Sequence, residues 1–426
     1  MLIGLIFLAL LTMIFINVPI AVALALAGIL GILMTQGINS LVTIAISMYS
    51  GSTNFSLIAI PMFVLAGAIM NAGGITDRLI NFVSALIGFV RGGLAMVNVG
   101  VSLFFAEISG SAVADVAAMG SVMIPQMKKR GYTKEFSAAV TSSSASLAII
   151  IPPSIPMILY AAQSNTSVEQ LFVAGVVPGL IGAAGLMLVS YIFARRYNLP
   201  TEEAFNIPQL RKTFVAALPA FALPVIILGG IFGGFVTATE AAGLAVIAAI
   251  LVSLWYRTVD LAQLRRAMLD GGIQTAVVML LVAASVLVGG FLTRAQVPQQ
   301  LAQGILNLTE NPWIILMILN VFFFMIGLFL HSAAAIILVV PIVIPLVLAA
   351  GIDPVHFGLV VTLNLAIGQQ TPPVASVLIT ACAVARANVW EVTKVNIWFI
   401  LVLLVVLMLC TYVPSVPMFL VDYFYR

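Results

Sequence analysis

Phe136-Ser-Ala-Ala-Val-Thr-Ser-Ser-Ser-Ala-Ser-Leu-Ala-Ile-Ile-Ile-Pro-Pro-Ser-Ile-Pro156 is the stretch from which the fold can be read. An apolar helix turns hydroxyl-rich at Thr141, Ser142, Ser143, Ser144 and Ser146, then runs into Pro152 and Pro153. Proline lacks the backbone donor and its ring collides with the preceding turn, so a helix breaks there. Inside a bilayer the freed amides and carbonyls have no lipid partner, and such a break survives only where protein or a polar cavity covers it. Freed amides suit an anion and freed carbonyls a cation. The stretch therefore reads as half of a transport site.

The rest of the chain supplies the membrane. Of its 426 residues 63% are apolar and 7% charged, with mean hydropathy +1.23; a soluble domain carries about 25% charged residues. An all-α polytopic membrane protein follows, with the lipid bilayer as its surroundings. The net charge of +3 gives no reason to expect a nucleic-acid partner. Cys382 and Cys410 sit in apolar runs and read as buried small hydrophobes, with no disulfide or metal pattern. Leu2 to Met34 would be about 50 Å as one helix, too long for a core of about 30 Å, and Asn17-Val-Pro19 divides it. That run lacks a basic flank, so a cleaved signal is not expected. Gly73 to Gly93 is amphipathic and belongs at the surface.

A second break exists. Asn364-Leu-Ala-Ile-Gly-Gln-Gln-Thr-Pro-Pro373 repeats the pattern. Pro125 and Pro345, Gly131 and Gly351, Pro152 and Pro372, and Pro153 and Pro373 are all 220 residues apart. The first repeat is set at 1–194, with a hairpin at about 94–127 and a broken helix at 133–163. A cytoplasmic linker covers 195–212. The second repeat is 213–426, with a hairpin at about 311–350 and a broken helix at 354–385. Within it, 258–271 is expected as a polar amphipathic segment and 272–292 as a separate span. Lys128-Lys-Arg130 closes the first hairpin, whereas Glu310 and Asp353 flank the second. Basic loops stay cytoplasmic, so the two repeats should face opposite ways. Two inverted repeats, two re-entrant hairpins, two broken helices and about ten spans make the plan of a secondary transporter.

Four polar interruptions should converge: Ser109-Gly-Ser111, Ser142 to Ser154, His331-Ser332 and Asn364 to Pro373. Hydroxyls, amide oxygens and freed carbonyls are hard ligands suited to Na⁺, although serines also serve as small packing residues between membrane helices. Asp115 is a carboxylate within a span and hence a candidate by default; Glu107 is a similar one. Glu240 reads as an edge residue. His331 either titrates, donates to a carboxylate or caps the hairpin tip. No nucleotide motif appears, so ATP drive is not expected.

The chain resembles the large membrane subunit of TRAP transporters, the DctM-type family. The resemblance rests on Gly110-Ser-Ala-Val-Ala-Asp115, Gly120-Ser-Val-Met-Ile-Pro125, Ser142-Ser-Ser144 with Ile150-Ile-Pro-Pro-Ser-Ile-Pro156, Gly351-Ile-Asp-Pro-Val-His-Phe-Gly358 and Thr371-Pro-Pro373. It implies an elevator-type, sodium-coupled importer of organic acids in the bacterial inner membrane. A small four-span membrane subunit and a periplasmic substrate-binding protein are its implied partners. No organic cofactor and no metal beyond Na⁺ is implied. Carried onto this chain, Na⁺ would lie at Ser109, Gly110, Ser111, Ser143, Ser144, Ser332, Asn364, Gly368 and Thr371. Substrate would lie at Asp115, Ser146, Pro153, Ser154, His331, Gln369, Gln370 and Pro373. Many members have Asp-Pro-Thr where this chain has His331-Ser332-Ala333, and Leu-Glu-Ile-Gly-Leu-Leu where it has Leu365-Ala-Ile-Gly-Gln-Gln370. Those changes remove negative charge and add hydrogen-bonding groups, which ranks a sialic acid ahead of a C4-dicarboxylate. A stand-alone ion-coupled carrier is one rival reading. A membrane-embedded enzyme using Asp115 and His331 is another, though nothing pairs them with a nucleophile.

Overall fold

The computed structural model describes residues 2–16, 18–199, 201 and 205–425, and among these every regular element is a helix. Among the described residues seven helices are long and apolar enough to cross a bilayer, including Val168–Arg196, Leu261–Arg294 and Val389–Tyr412.

The 220-residue register appears in the element boundaries themselves. Two helices make the first hairpin, Gly93–Ser109 and Ala112–Lys129; Pro312–Gly327 and Ser332–Ala349 make the second. The first broken helix runs Lys134–Ala145, tightens through Ser146–Ile149 and resumes at Ile155–Ser164. The second runs Pro354–Gly368 and resumes at Ser376–Ala385. Ala112 and Ser332 are 220 apart, as are Lys134 and Pro354. Local chemistry sets these edges. Thr133 accepts from the Phe136 amide and Asp353 from those of Val355 and His356, which satisfies first-turn donors. Ser154 restarts the first broken helix by accepting from the Met157 amide. The Pro152-Pro153 and Pro372-Pro373 bonds are both cis.

Two long-range contacts fix the relative sense of the broken helices. The Tyr160 hydroxyl, late in the first, donates to the Pro354 carbonyl at the start of the second, at 2.7 Å. Lys128, just before the first, donates to the Ala385 carbonyl at the end of the second, at 3.3 Å. The start of each thus lies at the level of the other's end, so the two run antiparallel. Packing is exchanged in the same way. Ala112–Lys129 packs on Ser376–Ala385, and Ser332–Ala349 on Ile155–Ser164. Likewise Ile20–Gln36 packs on Leu261–Arg294, and Ala238–Tyr256 on Ala59–Ala72.

Cations concentrate at one end, although Asp77, Glu135 and Asp260 lie there too and Arg294 lies at the other. At the Lys128 end lie Arg130, Arg78 and Lys212 around one cleft, and Thr258, next to Arg257, donates to Gly73. The other end carries Asp353, Glu169, which accepts from the Ala238 amide, and Glu240. Glu240 closes a capping box with Thr237 and is an edge residue there.

Most of the chain shares one continuous apolar core. Leu2–Phe15 and Ile20–Gln36 form a smaller one with the later turns of the long helix Leu261–Arg294, where Ala284, Leu287 and Phe291 are buried.

Two expectations are corrected. The segments 258–271 and 272–292 are one helix, Leu261–Arg294, begun by a capping box between Asp260 and Gln263. Gly271 does not interrupt it, because that glycine faces Leu65 and Ala68 and serves as a packing site. The linker 195–212 is partly helix. Asn206 caps Ile207–Ala217, so the boundary at 212 falls inside that element. The helices Val297–Leu306 and Ser415–Tyr425 were not foreseen; the first is the counterpart of the amphipathic Ile75–Ile87.

Candidate functional site

Each hairpin tip meets one break. At the first tip, Gly110 has φ of 57°, and a Cβ there would stand 2.9 Å from the Pro153 carbonyl oxygen and 3.1 Å from the Ile155 amide nitrogen. Glycine is required on both counts, the left-handed backbone and the close approach. At the second, Gly327 lies against Gly368, and the Val374 amide donates to the Leu328 carbonyl at 3.3 Å. Each hairpin is thereby stitched to the break of its own repeat.

A cleft of about 540 Å³ opens where these tips converge. Ser111, His331 and Ser332 line it, with Ser376 and Thr380 from beyond the second break. Ile155 and Pro156 come from beyond the first, and Ile273, Gln274 and Val277 from the long helix. The walls are apolar and the polar groups few, the usual make-up of a small-molecule site. His331 precedes Ser332–Ala349 but makes no side-chain cap bond. It occupies the N-cap position, and its side chain lines the cleft.

Behind this cleft lies a buried polar layer made of the hydroxyl-rich stretch. Ser144 accepts from Ser102 at 2.9 Å and donates to Asn98 Oδ1 at 3.3 Å, while Asn98 Nδ2 donates to Thr141 at 2.7 Å. In the second repeat Asn364 Nδ2 donates to Asn320 Oδ1 at 2.7 Å and to the Val360 carbonyl at 2.9 Å. Asn320 in turn donates to Thr411 at 3.1 Å. In both repeats, then, an asparagine on the first hairpin arm holds the polar residue that precedes the break. The repeats are joined by Ser143, whose hydroxyl lies 2.7 Å from both Gln370 Oε1 and Asn396 Oδ1; its single proton serves one acceptor at a time. Within this layer, among the described residues, Asn364 Oδ1 and Ser142 Oγ are fully buried without a hydrogen-bond partner, as is Ser253 Oγ elsewhere in the chain.

The remaining candidates separate by position. Gly110, Ser111, His331 and Ser332 line the cleft. Asp115, Ser146, Pro153, Ser154, Gln369 and Gln370 are buried behind it. Ser146 donates to the Ser142 carbonyl, Ser154 to that of Ile149 and Gln369 to that of Leu365. Thr371 is half-buried, donating to the Ile367 carbonyl, and Pro373 is exposed. Ser109 ends its helix, but its side chain and that of Glu107 lie outside the described residues. Sequence reasoning missed Asn98, Ser102, Asn320 and Asn396, as well as Gln274, Ser376 and Thr380. Asn98 and Asn320 did carry a signal, each being an amide within an apolar hairpin arm.

Helices that span, hairpins whose tips meet, and helices broken at the meeting point define a multi-pass membrane transport protein. The chain belongs to the family of the tripartite ATP-independent periplasmic transporter, DctM component, whose model matches residues 7–416. It is a transport protein and not an enzyme. It is 39% identical over 402 residues to the C4-dicarboxylate TRAP transporter large permease protein DctM of Pseudomonas aeruginosa, covering 94% of each chain. It is 34% identical over 415 residues to the sialic acid TRAP transporter large permease protein SiaM of Vibrio cholerae, covering 97% of this chain and 96% of that one. To the isethionate TRAP transporter permease protein DctMQ of Oleidesulfovibrio alaskensis it is 38% identical, over 95% of this chain and 64% of that longer one. In fold it matches the YdaH transporter of Alcanivorax borkumensis, with TM-score 0.65 over 89% of each chain at 14% identity.

Proposed function

We propose that this chain is the large membrane subunit of a sodium-driven importer of an organic acid, working with a small membrane subunit and a periplasmic substrate-binding protein. The observation that carries this is the cleft where both hairpin tips and both post-break segments meet, backed by oxygens with no partner. A buried acceptor without a donor is costly, and a cation liganded by hydroxyl, amide and carbonyl oxygens removes that cost. Na⁺ held at the breaks then lowers the cost of bringing a carboxylate to mid-bilayer. The relatives' names, C4-dicarboxylate, sialic acid and isethionate, all denote anions. A sialic acid ranks first, because Ser111, Ser332, Ser376, Thr380 and Gln274 offer hydroxyls and an amide to a polyhydroxylated acid. The cleft lies between the hairpins and the long helix Leu261–Arg294, the boundary along which a moving unit would slide in an elevator cycle. In the inner membrane the Lys128 end is cytoplasmic.

Proteoliposomes with the partner proteins should take up N-acetylneuraminate, or succinate if the runner-up substrate is correct, only under an inward sodium gradient. Uptake by the chain alone would favour the stand-alone carrier, and uptake indifferent to sodium would remove the coupling. Single cysteines at Lys129 and Glu310 should be labelled from opposite faces by an impermeant thiol reagent; labelling from one face would break the inverted sidedness.

A further inference from the structure

A larger cleft lies away from the transport site. At the Lys128 end a space of about 680 Å³ is lined by Arg78, Lys129 and Lys212, together with Arg130, which is engaged by another contact; among the described residues no Asp or Glu lines it. These cations come from three separated segments: the amphipathic helix Ile75–Ile87, the end of the first hairpin, and the linker helix Ile207–Ala217. Arg78 is fixed in place, its guanidinium 3.7 Å from the centroid of the Tyr256 ring and donating to the Gly74 carbonyl at 2.9 Å. Phe89 and Phe205, 41% and 48% exposed, stand at the same cleft with ring centroids 5.1 Å apart.

Like charges gathered around one space favour an anion between them. Exposed phenylalanine rings beside basic side chains suit the boundary between acyl chains and headgroups, and basic pockets between membrane helices hold anionic headgroups. We infer that this cleft binds the phosphate headgroup of an anionic phospholipid, with its acyl chains along the Phe89–Phe205 side. A free phosphate would share the cations but gain nothing from the rings. Lys129 ends the first hairpin whereas Lys212 belongs to the linker helix, so one headgroup would tie the hairpin unit to the helices around it.

Native mass spectrometry of the purified full-length chain, titrated with dioleoyl-phosphatidylglycerol, tests this without transport. One lipid should be retained, phosphatidylcholine should bind far more weakly, and millimolar inorganic phosphate should not displace it. The Lys129→Ala/Lys212→Ala double variant should bind roughly thirtyfold more weakly, and Lys129→Arg/Lys212→Arg should restore binding. Equal retention of phosphatidylcholine, or equal affinity of wild type and the alanine double variant, would overturn the assignment. Displacement by inorganic phosphate would overturn the lipid as its source. The wild-type competition stands even if a variant folds poorly.

Discussion

Gly368→Ala should abolish uptake and lower the stability of the purified protein by about 1–3 kcal/mol, the usual cost of overpacking. The added Cβ would stand 2.6 Å from both the Cα and the carbonyl carbon of Gly327. Both are backbone atoms, so no side chain can swing aside and one helix must move. The helices pressed apart are the first arm of the second hairpin and the broken helix it supports. The Val374–Leu328 backbone bond, close in the chain to the cleft-lining Ser376 and His331, would be pulled open with them. Gly327→Ala should be milder, since its Cβ would meet the Gly368 Cα at 3.1 Å. Gly289→Ala, on the long helix with open space around it, should be silent. Thermal unfolding together with proteoliposome uptake checks the ranking. Wild-type uptake in Gly368→Ala would mean that the second tip does not need its present seat.

Asn364→Ala should raise the sodium concentration for half-maximal uptake roughly tenfold or more, in line with the loss of a contact to a charged group. Its Nδ2 is committed to Asn320 and Val360, which holds the amide still and leaves Oδ1 buried without a partner. Truncation also strands Asn320 Oδ1, so a stability loss is expected beside the sodium effect. Asn320→Ala separates the two: it removes the anchor but keeps the Asn364 oxygen, and should shift stability more than the sodium curve. An unchanged sodium curve in Asn364→Ala would take this residue out of the ligand set.

Much of the fold was legible because its causes are local. Two adjacent prolines end a helix wherever they occur, and Thr133 and Asp353 cap helices within three residues of themselves. The hairpin tips at Gly110 and His331 could be placed for the same reason. Reading failed where a local signal had two meanings. Gly271-Gly272 looked like a break between a polar segment and a span, but the neighbouring helix uses Gly271 as a seat. At the site, the serine run was expected to form half of the transport site; it is buried, and none of Thr141 to Ser146 lines the cleft.

By itself the sequence determined the solvent, the breaks and the 220-residue register. A chain with so little charge must live in lipid, and steric rules at proline and glycine need no tertiary partner. Only the tertiary structure decided which oxygens are satisfied and which face the cleft. Ser143 meets Gln370 across 227 positions and Asn396 across 253, and Gln274 reaches the cleft from a different helix. In a buried interior a hydroxyl's role depends on the one donor or acceptor within about 3 Å, and that neighbour is set by how the two antiparallel broken helices and the helices around them pack.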